Sequence, residues 1–180
     1  MATQIEIEFY SEVGLLSTKF AISEQLIQEI LCLIISKSTN DTITLTMIED
    51  MSLWKKLDLL KKILKVHSFW EKDLLSIIDR LDKVRVERNL FIHGLWKKPI
   101  QEGNKITVSV ETKKIKFKED KPDPELVKQG YSHSYSQRTW HFNSYKTYTL
   151  KQIKSIVFEI NSIIIQQNKI IEDIKEKFEI

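Results

Sequence analysis

Residues 85–96 read RVERNLFIHGLW and place Arg85, Arg88, Asn89 and His93 in a stretch whose preceding turns are built from leucine and isoleucine. A buried guanidinium without an anionic partner is costly, so such residues face water or are kept for something negative. An imidazole titrates near neutrality and passes protons. A guanidinium grips two phosphate oxygens and stabilises the negative charge of a transition state. Together these types suit one reaction that needs no metal, the cleavage of RNA by its own 2′-hydroxyl. That chemistry wants both a base and an acid, and one histidine is too few. A two-fold dimer setting two such helices face to face would bring two histidines and two arginines to one cleft.

The spacing sets what these residues can do together. Asn89 and His93 lie one helical turn apart, whereas Arg88 and His93 are separated by about 140° and flank a groove. Arg85, Lys97, Lys98 and Arg138 are further candidates for holding substrate. The alternative is structural: Arg88 pairs with Glu24 or Glu29 on the first helix, and His93 caps a helix C-terminus against the dipole. A metal site has little support, because His67, His133 and His141 lack carboxylate or cysteine partners at ligand spacing. No P-loop, GxGxxG, HExxH or nucleophile-elbow pattern is present, which removes support for nucleotide hydrolysis, hydride transfer and acyl transfer. No cofactor is expected.

The elements that must position these residues follow from periodicity. Apolar residues recur at helical spacing over residues 5–37, with a possible kink at Ser23. STNDTITLT reads as a loop with a short extended piece. MSLWKKLDLLKKILKV is a second, amphipathic helix with Ser52 as N-cap. Glu49 and Asp50 read as solvated acids at a helix start. A third helix runs over residues 69–93 with Gly94 as its stop, on a stripe of Trp70, Leu74, Ile77, Ile78, Leu81 and Val84 that continues onto Arg85, Arg88, Phe91 and Ile92. Between residues 99 and 147 the rhythm changes to alternation. KITVSV, KIKFK and RTWHF read as short strands separated by EGN and KPDPE, and QGYSHSYSQRTW as a mobile stretch with Tyr131 and Tyr135 exposed. Trp140 and Phe142 share one strand face, with His141 on the other, as core or as a stacking platform for bases beside Arg138 and Lys146. Thr149 opens the last helix, to about Phe178, with Gln152 completing a capping box.

Composition is that of one soluble domain of 180 residues, with 42% hydrophobic and 29% charged residues and few helix breakers. The net charge of +3 is too small to indicate nucleic acid, but residues 95–149 carry eleven basic against six acidic side chains and would attract a polyanion. Cys32 is alone in an apolar run and reads as a buried small hydrophobe. The first residues are acidic where an export signal needs positive charge, and the apolar runs fall short of a membrane span, so a cytoplasmic chain is expected.

The stretch RNLFIH followed by Gly94 resembles the signature of the HEPN superfamily, helical nucleotide- and RNA-associated domains with an Arg, a polar residue next to it, and a His four to six residues after the Arg. The order of elements is also similar over residues 5–98 and 148–178, while residues 99–147 look like an insertion. The resemblance implies an all-α antiparallel bundle of four to five helices with a small β insertion before the last helix, forming a single domain over residues 1–180. It implies a metal-independent endoribonuclease of a toxin–antitoxin, abortive-infection or other defence system, acting on RNA as a homodimer through the third helix, with an antitoxin or defence partner. Arg88 would bind phosphate, Asn89 fill the polar position and His93 transfer protons, while Arg85 has no counterpart in the signature. Other members only bind RNA or protein, and that reading stays open beside the enzyme, as does a structural helical subunit.

Overall fold

Ile and Leu at three- and four-residue spacing demand a shared core, and two helices of about thirty residues supply most of it. The computed structural model describes residues 4–66, 70–103, 105–119, 128 and 136–180, with the backbone alone at 102, 112–119 and 136–145. Helix α1 (Gln4–Ser36) continues unbroken through Ser23, and helix α5 (Leu150–Phe178) packs along its length. The two run parallel. Lys154 meets Glu8, Lys19 donates to Asn161, Ser23 donates to Gln167 and Lys175 pairs with Glu29, in ascending order along both helices.

Helix α4 (Glu71–His93) is antiparallel to both: Trp70, just before it, meets Phe178, Arg80 binds Glu159, and Arg88 covers Phe20 of α1. The expected antiparallel order therefore holds for α4 with each long neighbour, but not between α1 and α5. The chain reverses once through the short helices after α1 and again through the sheet, which leaves its first and last helices pointing the same way.

Residues 42–46, expected as part of a loop with a short extended piece, belong to helix α2 (Thr42–Glu49). Asp41 accepts from the Thr44 backbone N–H at 2.9 Å, and Thr44 and Ile48, one turn apart, are both buried. Capping and burial outweigh weak helix propensity here. Glu49 and Asp50 are exposed as expected, but they stand at this helix's end instead of a start. Helix α3 (Leu53–Leu64) follows; Ser52 holds the N-cap position in extended backbone, but its side chain makes no capping bond. Thr149 and Gln152 form the full capping box expected for α5.

The β segment begins earlier and is more continuous than the sequence suggests. Strands β1 (Leu95–Trp96), β2 (Ile100–Glu102), β3 (Lys105–Glu119) and β4 (Ser136–Thr149) form one antiparallel sheet. KITVSV and KIKFK are a single strand. The EGN turn falls between β2 and β3, where Gly103 has φ +58, a conformation that glycine adopts without Cβ strain. β3 pairs with β1 and β2 along one edge and with β4 along the other, and a bulge in β4 interrupts the ladder between Glu111 and Thr112. Val108, Val110 and Tyr148 carry the sheet into the helical core. The KPDPE segment, Tyr131, Tyr135, His67 and His133 lie outside the described residues.

Candidate functional site

The last turns of α4 are held from the sheet side. Phe91 is buried, its ring edge-on to Tyr148 at 4.7 Å and tilted on Trp96 at 5.4 Å. The Trp96 indole N–H donates to the Phe91 carbonyl at 2.8 Å, satisfying one of the carbonyls that a helix end leaves open. Gly94 stops the helix as expected, in extended backbone with φ −80 and ψ 156. Its role is close approach: a Cβ there would meet Val110 Cγ1 at 2.2 Å and the Leu90 carbonyl at 2.5 Å. On the same side Glu87 accepts from the Tyr148 hydroxyl and the Lys146 ammonium. Burial, then the hydrogen bond to Glu87 and its charge, push the Tyr148 phenol well above its ordinary range.

The opposite side of the same turns is open. Twelve residues of α3 span about 18 Å against about 35 Å for the twenty-three of α4. The groove between α3 and α4 is lined by Trp54, Leu57, Ile78 and Asp82. Residues 83–93 extend beyond it, and Val86 (55% exposed) and Ile92 (42%) remain in solvent.

Arg88 sits between these sides. Its guanidinium lies 5.4 Å from the Phe20 ring of α1, and its Nη1 donates to Asn89 Oδ1 at 3.1 Å. Its Nε is buried and has no acceptor among the described residues. The carboxylates that could have neutralised it are engaged elsewhere: Glu24 lies 3.9 Å from the buried Lys56, Glu29 pairs with Lys175 at 2.8 Å, and Glu87 holds Lys146 and Tyr148. The internal pairing of Arg88 with Glu24 or Glu29 is therefore not what the fold adopts. A buried donor without a partner costs about 1–3 kcal/mol, a cost the fold carries at this position.

The other candidates divide. Arg85 turns to Asp82 at 2.8 Å, one turn back on its own helix. His93 is exposed on the last turn and makes no hydrogen bond or ion pair among the described residues, so Asn89 is joined to Arg88 and not to His93. Lys97, whose backbone N–H donates to Ser109, and Lys98 are exposed just past β1, near the same helix end. Arg138 lies opposite Phe117 in β4, six residues along β3 from the position paired with Leu95, or about 20 Å away. The structure thus does not bring Arg138 to the Arg88 cluster.

Sequence reading missed Phe20, Glu87, Trp96 and Tyr148. Phe20 carries no mark that separates it from a core position. The alternation of Lys146 and Tyr148 just before the Thr149 cap was the one available sign that this strand end faces a helix. Among the described residues, no three His, Cys, Asp or Glu side chains converge as a metal-ligand set, and no helix is long and apolar enough to cross a membrane. Comparison with protein-family models, with curated proteins and with solved structures found no match.

Proposed function

We propose that the chain is a HEPN-type endoribonuclease that cleaves RNA without a metal, at a cleft shared by two copies. The observation that carries this reading is Arg88: a guanidinium over the Phe20 ring that, among the described residues, is bonded to Asn89 alone and has no carboxylate partner, on a helix that ends in an exposed histidine. Arg88 holds non-bridging phosphate oxygens. A His93 imidazole takes the proton of the ribose 2′-hydroxyl as the 2′-oxygen bonds to phosphorus. The bond from phosphorus to the 5′-oxygen breaks, and a second imidazolium, from the other copy, protonates that oxygen. The products are a 2′,3′-cyclic phosphate and a 5′-hydroxyl. Exposed Val86 and Ile92 flank the motif and are the apolar surface on which a second α4 would pack. The biological setting that fits is a cytoplasmic defence or toxin–antitoxin role with an antitoxin partner, in which overexpression arrests growth and His93→Ala relieves the arrest.

The test is digestion of end-labelled RNA by purified protein in EDTA. Arg88→Ala and His93→Ala should each lower the rate by about 10²–10⁴ while circular dichroism stays unchanged. Equal cleavage by both variants, or none by the parent chain, sinks the enzyme. One feature favours a binding module in the second case: His93 has no partner among the described residues to orient its ring. Such a module would bind RNA through Arg88 without cutting it.

A further inference from the structure

Among the described residues, β3 and β4 pair beyond Glu111 only with each other, because β1 ends against Val110 and Glu111 and β2 against residues 105–107. From Thr112 to Glu119 this two-stranded ribbon extends about 25 Å. Its register sorts the residues. Lys114, Lys116 and Lys118 stand opposite His141, Thr139 and Gln137, and the period of two puts all six on one face. The flanking pair on that face, Thr112 and Asn143, adds no carboxylate. Ile115 and Phe117, opposite Trp140 and Arg138, belong to the other face.

Three lysine positions at alternate residues recur every 6.6 to 6.8 Å or so, close to the step between successive phosphates of an extended nucleic-acid strand. The positions across the ladder are hydrogen-bonding types suited to ribose and phosphate oxygens. Duplex RNA is gripped by surfaces shaped to its wide minor groove, whereas a narrow ribbon with lysines along one face suits the backbone of a single strand lying along it. A bilayer fits less well. The second face mixes Lys113, Arg138 and Glu119 with its aromatics, and an inserting face does not carry that charge.

We propose that the outer β3–β4 ribbon is a capture arm for single-stranded RNA, with Lys114, Lys116 and Lys118 as its phosphate track. The arm rests on the ribonuclease reading only for what happens to the strand after capture. It sets affinity, and Arg88 and His93 set turnover.

The experiment is fluorescence anisotropy of the full chain with a labelled 2′-O-methyl oligonucleotide, which cannot be cleaved. The triple variant Lys114→Gln, Lys116→Gln, Lys118→Gln should bind at least tenfold more weakly at low salt. Its slope of log affinity against log salt should be shallower by about 2, at about 0.7 for each lost phosphate contact. The triple Lys→Arg variant should bind like the parent. Neutralising Lys61, Lys62 and Lys65 on α3 instead should leave affinity within twofold. Unchanged binding in the Gln variant overturns the arm, as does an equal loss from the α3 control or from the Arg variant. Loss of binding to phosphatidylserine vesicles with RNA affinity intact also overturns it. His93→Ala must keep full capture. A parent chain that binds through the arm yet never cuts removes the nuclease reading and leaves the arm standing.

Discussion

The Trp96 indole N–H donates to the Phe91 carbonyl at 2.8 Å, so the first strand after α4 ties down the helix end that carries Arg88 and His93. Trp96→Phe keeps the ring contacts with Phe91 and Tyr10 but removes this donor. The expected cost is about 1 kcal/mol, or a midpoint lower by about 2–4 °C. Amide exchange over residues 89–94 should accelerate selectively. Unaltered exchange there would show that the tie does not hold the helix end.

Gly94→Ala forces a Cβ onto Val110 and the Leu90 carbonyl. Urea unfolding should show a loss of about 1–3 kcal/mol, the range for overpacking. Val110→Ala in the same chain relieves only the side-chain contact, so the double variant should lose less than the sum of the two single changes. Strict additivity would contradict the close approach.

Phe20 is buried under the Arg88 guanidinium. Phe20→Leu retains apolar volume but loses the ring face, worth about 0.5–1 kcal/mol. On the proposed reaction, single-turnover cleavage should slow about two- to fivefold. Arg88→Lys should slow it more, because an ammonium neither stacks nor grips two oxygens in one plane. Full activity in Arg88→Lys would argue for a simple point charge.

Ser23 Oγ donates to Gln167 Oε1 at 2.9 Å, and Gln167 Nε2 returns a bond to the Ser23 carbonyl at 3.1 Å, all within the buried α1–α5 seam. Ser23→Ala leaves the amide oxygen without its partner and should cost about 1–3 kcal/mol. Adding Gln167→Leu should cost little more, since both polar groups are then gone. A double-mutant cycle with no coupling would refute this.

Two ionisable groups make stability depend on pH in opposite directions. The hydrogen bond from Arg80 holds the Glu159 carboxyl below its ordinary 4.5, against a smaller effect of burial. A carboxyl with a depressed folded pKa stabilises the fold at neutral pH, and that contribution fades as acid carries the pH below 4.5. Tyr148 is displaced upward from 10.0, so its contribution is present at neutral pH and lost as the pH rises above that value. Thermal midpoints should therefore fall at both extremes, less steeply in acid for Glu159→Gln and less steeply in base for Tyr148→Phe. Slopes unaffected by either substitution would remove these groups as the cause.

Much of the fold was legible because its signals are local. The stripes of α1, α3, α4 and α5, the Thr149–Gln152 capping box and the turn at Gly103 depend on neighbours within a few residues. The motif Arg88, Asn89 and His93, and its place at a helix end before Gly94, were equally visible. Residues 42–46 were misread because their helix is secured by burial of Thr44 and Ile48, which local propensity does not report. Two decisions needed the folded chain. One is that Glu24, Glu29 and Glu87 find other cations and leave Arg88 without a carboxylate among the described residues; ion pairing depends on distance through space, not spacing along the chain. The other is that α3 is too short to cover the end of α4, so Val86 and Ile92 stay in solvent while Phe91 beside them goes into the core.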